Sequence, residues 1–210
     1  ESFLPFQENS FRFPGFEGLL RSIRVYEEAH GANYLGYISE VTKEEIDRSD
    51  GRYKLGDYSG TSGLEKFYEE YIRGVNGVEF VLKDNLGREV GPFDRGKLDK
   101  KAVSGYDMQL SIDVELQKLG DSLMLNKVGG IVAIEPSTGE ILCQITAPTY
   151  NPNLLSIHNN RGVAYAYLLR DSLKPLFDRS SNAKYPPGSI FKPILALIAQ
   201  QEGVLHEYTS

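Results

Sequence analysis

Tyr185-Pro186-Pro187-Gly188-Ser189-Ile190-Phe191-Lys192 sets a serine on a stiff Pro-Pro-Gly approach. An apolar run at helical spacing begins there (Ile190, Phe191, Ile194, Leu195, Ile198). Positions i and i+3 of a helix share a face, with Cβ atoms about 5–6 Å apart, so Lys192 can reach the Ser189 hydroxyl. Serine is a poor nucleophile at its ordinary pKa and needs a neighbouring base, a role a desolvated lysine can fill. Gly188 permits a tight turn, and Pro193 falls in the first helical turn, where its missing N–H breaks no bond. The bland alternative is an N-cap serine followed by a surface lysine. A second Ser-x-x-Lys, Ser181-Asn182-Ala183-Lys184, lies just upstream. It precedes two prolines, which disfavour the helical region before them, so Ser181 and Lys184 are expected in a loop.

The 210 residues suffice for one or two domains with a sizeable core. A net charge of −6 argues against a nucleic-acid partner. Cys143 is the single cysteine, so no internal disulfide forms, and its apolar run (Ile141–Ile145) makes it a core residue. His30, His158 and His206 are scattered without ligand spacing, and Gly129-Gly130 precedes a strand rather than a helix. Neither a metal, a phosphate loop nor any other cofactor is expected. There is no 18-residue apolar run and no basic-then-apolar leader, and the abrupt ends suggest a piece whose targeting segment was left off.

Along the chain, Phe11, Phe13, Phe16, Ile23, Val25 and Tyr26 read as short strands interrupted by Pro14-Gly15. Thr42-Lys43-Glu44-Glu45 and Ser62-Gly63-Leu64-Glu65 are capping boxes. The second opens an amphipathic helix with Leu64, Phe67, Tyr68 and Tyr71 on one face and Gly74 as its stop. Glu69 and Glu70 point apart on it and read as a solvated face rather than an acid–base pair. Val78–Lys83 and Arg88–Val90 look like a hairpin, and Asp94–Lys101 resembles a linker or an exposed loop. Tyr106–Ile112 alternates as a strand. Asp113 caps a helix bearing Leu116, Leu119, Leu123 and Met124, and Ile131–Ile134 with Ile141–Ile145 makes the clearest hairpin. Residues 146–188 lack sustained periodicity apart from Val163–Leu169. The pattern predicts an α+β protein with a boundary near residue 100.

Several segments, in order, resemble the class B penicillin-binding proteins. Gly129-Gly130-Ile131-Val132-Ala133-Ile134-Glu135-Pro136-Ser137-Thr138-Gly139-Glu140-Ile141-Leu142 resembles the opening hairpin of their transpeptidase domain. Ala147-Pro148-Thr149-Tyr150-Asn151-Pro152-Asn153 is similar to the following loop. Leu173–Arg179 and Tyr185–Ser189 resemble the approach to the nucleophile. Leu35-Gly36-Tyr37-Ile38 and Ser62–Gly74 are similar to the non-catalytic N-terminal module, and Ile112–Gln117 to the junction. The likeness leans toward the cell-elongation type over the division type. Asn33 departs from a commoner histidine and Ser180 from a commoner alanine.

The resemblance implies a pedestal or dimerisation module at 1–104 and the first part of a serine β-lactamase-like transpeptidase domain at 105–210. It implies that Ser189 attacks the penultimate D-alanine carbonyl of a peptidoglycan stem peptide, with Lys192 taking the proton. An amine of a neighbouring stem then resolves the acyl-enzyme, and β-lactams trap it. Implied partners are stem peptides, β-lactams and cell-elongation membrane proteins. The implied place is the periplasmic side of a bacterial inner membrane, reached by an N-terminal anchor outside this sequence.

The family's Ser-x-Asn and Lys-Thr/Ser-Gly motifs do not occur after Ser189; Ser180-Ser181-Asn182 fits only by letters and on the wrong side. The chain alone is therefore expected to be inactive, with the apolar face around Ser189 differently packed and open to self-association. Two other classes remain: an interaction module of the elongation machinery, and a serine β-lactamase or β-lactam sensor, which would not be expected to carry the capped-helix pedestal.

Overall fold

The computed structural model describes residues 23–85, 89–157 and 160–206, with five isolated positions before residue 23. The chain divides into two compact units, Glu1–Ser180 and Ser181–Ser210. The first carries α1 (Ala32–Leu35), β1 (Ile38–Glu40), α2 (Lys43–Arg48), β2 (Tyr58–Gly60), α3 (Gly63–Phe67), α4 (Glu69–Ile72), β3 (Val81–Lys83) and β4 (Glu89–Pro92). It continues with α5 (Val114–Leu123), β5 (Gly129–Ile134), β6 (Ile141–Ala147) and α6 (Arg161–Arg170). A single helical turn, α7 (Arg179–Asn182), straddles the boundary, and the second unit holds a 3-10 turn (Gly188–Phe191) leading into α8 (Lys192–Gln201). The strands form three antiparallel pairs, β1–β2, β3–β4 and β5–β6, flanked by helices, which is the α+β class.

Local sequence rules act where both partners are near in the chain. Thr42 Oγ1 accepts the Glu45 N–H at 3.3 Å, and Glu45 Oε2 accepts the Thr42 N–H at 2.7 Å, closing the capping box of α2. Asp113 Oδ1 accepts the N–H groups of Glu115 and Leu116 at 2.9 and 3.0 Å and starts α5. The main hairpin pairs Gly129 with Ala147 and Ile134 with Ile141, with an irregularity after Ala133. In the upstream hairpin the first strand starts later than its sequence suggests and the second runs further, Val81–Lys83 against Glu89–Pro92, and residues 86–88 lie outside the described ones.

Several expectations fail for tertiary reasons. The Ser62 box does not form: its side chain caps nothing, because Glu65 is buried against Arg24 Nε at 3.0 Å and the Tyr26 hydroxyl at 3.2 Å. The amphipathic helix is broken at Tyr68 into α3 and α4, leaving Phe67 and Tyr71 exposed. Glu69 is not on a solvated face; it accepts the Tyr53 hydroxyl at 2.9 Å and also the Gly60 N–H. Ile23–Tyr26 is not a strand. The Asn153 side chain takes its neighbour's place, accepting the Tyr26 N–H at 2.9 Å and donating to the Tyr26 carbonyl at 2.7 Å. Most of the proposed strand region before it lies outside the described residues.

The polar stretch Asp94–Lys101 is an exposed loop rather than a linker, for Lys100 pairs back with Val78, and just beyond it Val103 pairs with Val75. Tyr106–Ile112 forms no strand. In α5 Leu116 and Met124 are half-buried, while Leu119 is 53 % and Leu123 57 % exposed and Gln117 only 2 % exposed. The Gln117 amide satisfies β6 in both directions, donating to the Gln144 carbonyl and accepting its N–H, each at 3.0 Å. Beside it, a Cβ on Gly120 would stand 1.9 Å from Ile145 Cδ1, so only glycine lets the helix lie this close. The apolar stretch Val163–Leu169 lies within a helix, Arg161–Arg170. The core gathers Ala32, Tyr150, Leu155 and Leu168, with Cys143 and Ile145 buried along β6.

Candidate active site

In the second unit, Gly188 has φ +57°, a left-handed conformation that favours glycine, and turns the chain out of Pro186-Pro187. Ser189 then sits inside the 3-10 turn and Lys192 opens α8. A 3-10 turn holds three residues, so positions i and i+3 eclipse and Ser189 and Lys192 fall on one side. The Lys192 N–H donates to the Ser189 carbonyl, closing that turn. Both residues are exposed, and among the described residues neither side chain makes a hydrogen bond or ion pair. The Ser189 N–H belongs to the first turn, whose donors lack intrahelical acceptors and can face a developing negative oxygen. Pro193 stands in the first turn of α8, as expected. Ile190, Phe191, Ile194 and Leu195 are exposed, Ile190 at 82 %.

The second Ser-x-x-Lys, Ser181 to Lys184, differs in surroundings. Ser181 lies in α7, not in a loop, whereas Lys184 follows it in irregular chain. The proline restriction acts on the one residue directly before each proline and does not reach back to Ser181. In the first unit, Asp178 anchors the start of α7: Oδ1 accepts the Ser180 N–H at 2.9 Å and the Thr146 hydroxyl at 2.5 Å. Gln144 Nε2 donates to Asp178 Oδ2 at 3.3 Å and to Ser180 Oγ at 3.0 Å. Sequence reading missed Asp178, Gln144 and Thr146, because nothing in their spacing shows that residues 32 and 34 apart converge.

The same unit joins its early and late segments by side chains. Asn33 Nδ2 donates to the Pro175 carbonyl at 2.8 Å, and the Thr149 hydroxyl donates to Asn33 Oδ1 at 2.8 Å. Arg161 donates to the Ile38 carbonyl and lies 5.9 Å over the Tyr37 ring, which tilts against Tyr165 at 6.1 Å. Burial, then the hydrogen bond with Tyr165, pushes the Tyr37 phenol up to about 12. Burial raises Tyr150 and Tyr26 still further above the ordinary value, Tyr26 with the added charge of Glu65.

Residues 1–110 match the penicillin-binding protein dimerisation domain, and residues 129–210 match the penicillin-binding protein transpeptidase domain. The chain belongs to the penicillin-binding proteins. Within that family it is similar to the peptidoglycan D,D-transpeptidase MrdA of Escherichia coli K12, at 31 % identity over 212 residues, covering 98 % of this chain and 32 % of that protein. The solved complex between penicillin-binding protein PBP2 and MreC from Helicobacter pylori aligns at TM-score 0.76 and 27 % identity, covering 99 % of this chain and 38 % of that one. Pseudomonas aeruginosa PBP2 in complex with WCK 5153 aligns at TM-score 0.70 and 31 % identity, covering 89 % and 37 %. The chain spans about a third of the length of the curated relatives it matches. No helix among the described residues is long and apolar enough to cross a membrane, and none of their His, Cys, Asp and Glu groups could hold a metal ion.

Proposed function

We propose that this chain carries the nucleophile of a peptidoglycan D,D-transpeptidase of the cell-elongation type. Residues 1–104 serve as the non-catalytic pedestal and 105–210 as the first part of the transpeptidase domain. The observation that carries the reading is the Gly188-led turn that sets Ser189 and Lys192 one 3-10 turn apart at the mouth of α8. Ser189 Oγ attacks the penultimate D-alanine carbonyl while Lys192 accepts its proton; the C–N bond to the terminal D-alanine breaks and that residue leaves protonated. The amine of a second stem peptide then displaces Ser189, forming the cross-link and returning the proton. The Ser189 N–H is one donor to the oxyanion, a contact worth about 10²–10³ in rate.

A β-lactam acylates the same oxygen. Likeness to a PBP2 solved with MreC supports a cell-elongation partner, and likeness to a peptidoglycan D,D-transpeptidase supports action where peptidoglycan lies, outside the inner membrane. The test uses a chain extended to the full length of its relatives and incubated with labelled penicillin. Mass spectrometry should place one adduct on Ser189. Ser189→Ala should abolish it, and Lys192→Ala should slow it about 10²–10⁴-fold. An adduct that survives Ser189→Ala would sink the assignment.

A further inference from the structure

Gln144 and Thr146 stand two apart on β6 and so face the same side of the strand. Both meet the start of α7. The Ser180 N–H is shared between Asp178 Oδ1 at 2.9 Å and Thr146 Oγ1 at 3.2 Å, while the Thr146 hydroxyl donates to the same carboxylate oxygen. The Ser180 hydroxyl also donates to Asp178 Oδ1, and Gln144 Nε2 donates to Asp178 Oδ2 at 3.3 Å and to Ser180 Oγ at 3.0 Å. Thr146 is only 4 % exposed, so these bonds are shielded from competing water. The backbone is pressed in as well. A Cβ on Gly130, the register partner of Thr146, would stand 2.9 Å from Ser180 Cα and 3.0 Å from its nitrogen. From the next position, the Arg179 guanidinium donates to the carbonyls of Leu173, Lys174 and Phe177 in the turn that leads in.

Ser189 follows Ser180 by nine residues, and the lead to it is stiff near its end. Tyr185 and Pro186 each precede a proline, and both prolines have a fixed φ. A stiff lead passes on the direction given to it at its root. We propose that Asp178 is a positioning residue for the Ser189 nucleophile: by tying Ser180 to β6 it fixes the point from which the lead to Ser189 departs. A misplacement of about 1 Å at a reacting oxygen can cost about 10²-fold in rate, so an anchor this far back along the chain is felt in the chemistry. Asp178 acts through Ser180 and makes or breaks no bond of the reaction itself. The role presupposes the transpeptidase reading, and the test below separates the two.

The chain extended to the full length of its relatives is mixed with labelled penicillin up to saturation, and the limiting acylation rate and the half-saturating concentration are read separately. Asp178→Ala should lower the limiting rate about 10–100-fold and leave half-saturation near the parental value, because the ligand still binds while the nucleophile is misplaced. Asp178→Asn keeps an oxygen for the Ser180 N–H and the Thr146 hydroxyl and should recover most of that loss. Gly130→Ala pushes on the Ser180 backbone without removing a hydrogen bond and should slow acylation in the same way. Thr146→Val removes one donor, should also slow it, and carries the test where Asp178→Ala does not fold. Thr42→Ala unmakes the cap of α2 and touches none of these groups; it should lower the melting temperature and leave the limiting rate unchanged. The proposal is overturned by a parental limiting rate in folded Asp178→Ala or Thr146→Val, by a change confined to half-saturation, by an asparagine variant no faster than the alanine one, or by equal slowing in Thr42→Ala. A parent that forms no adduct on Ser189 sinks the transpeptidase reading itself, whereas a parent that reacts no faster than its Asp178 variants sinks the positioning role alone.

Discussion

The Asn33 side-chain amide reaches the Pro175 carbonyl at 2.8 Å across 142 residues of sequence, and its oxygen receives the Thr149 hydroxyl at 2.8 Å. One side chain thus ties the turn at α1 to both the loop after β6 and the segment before α7. Ala32, next to it, is fully buried against Tyr150 and Leu155, so the contact sits at the edge of the core. A half-buried amide with two partners leaves both unsatisfied when removed.

Asn33→Ala should therefore destabilise the chain by about 1–3 kcal/mol, read from urea unfolding. A double-mutant cycle with Thr149→Val should return a coupling of about 0.5–1.5 kcal/mol. A coupling of zero would reduce the contact to proximity.

Ser59 presents the opposite situation. It is buried on β2, and among the described residues its hydroxyl has no hydrogen-bond partner. Burying a hydroxyl without a partner costs about 1–3 kcal/mol, so Ser59→Ala should leave stability unchanged or raise it. A loss of more than about 1 kcal/mol in thermal unfolding would show that the hydroxyl is in use.

The buried phenols set an alkaline limit. The ordinary tyrosine value is 10.0; Tyr37 is pushed up to about 12, and Tyr26 and Tyr150 are raised further. Above pH 10 the unfolded chain releases these protons while the folded chain keeps them, so stability is full below pH 10 and falls as pH rises toward the folded values. Denaturant midpoints should be flat from pH 8 to about 10 and then decline. Absorbance at 295 nm should show a set of tyrosines that ionise only as the chain unfolds. A midpoint that holds steady to pH 12 would contradict this.

Labelled penicillin separates the two Ser-x-x-Lys pairs. The 210-residue chain contains no Lys-Thr-Gly or Lys-Ser-Gly, and it should show no stoichiometric adduct by gel fluorography. At the full length of its relatives, Ser181→Ala should acylate at the parental rate while Ser189→Ala does not react. Stoichiometric labelling of the short chain at Ser189 would overturn the first expectation; loss of labelling in Ser181→Ala would overturn the second.

The legible parts of this protein are those whose causes lie within a few residues of one another. Thr42 and Glu45 close their box from adjacent turns, Asp113 caps the helix it precedes, and Pro136-Ser137-Thr138-Gly139 joins two strands that then pair. The Ser189–Lys192 turn is of this kind, since Gly188 and the three-residue spacing suffice to build it. What spacing cannot carry is competition for a side chain by distant groups. Glu65 leaves its box for Arg24 and Tyr26, and Gln117 displaces leucines from the buried face because β6 offers it a donor and an acceptor. Asp178 finds Gln144 and Thr146 only once the hairpin is folded. Asp107–Ile112 has a strand's pattern but no backbone pairing among the described residues, because alternation states which face is apolar while pairing requires a second backbone. Sequence alone determined the caps of α2 and α5, the main hairpin and the Ser189–Lys192 turn. The tertiary structure decided which polar side chains were buried and which apolar faces stayed open, because those outcomes depend on partners far away along the chain.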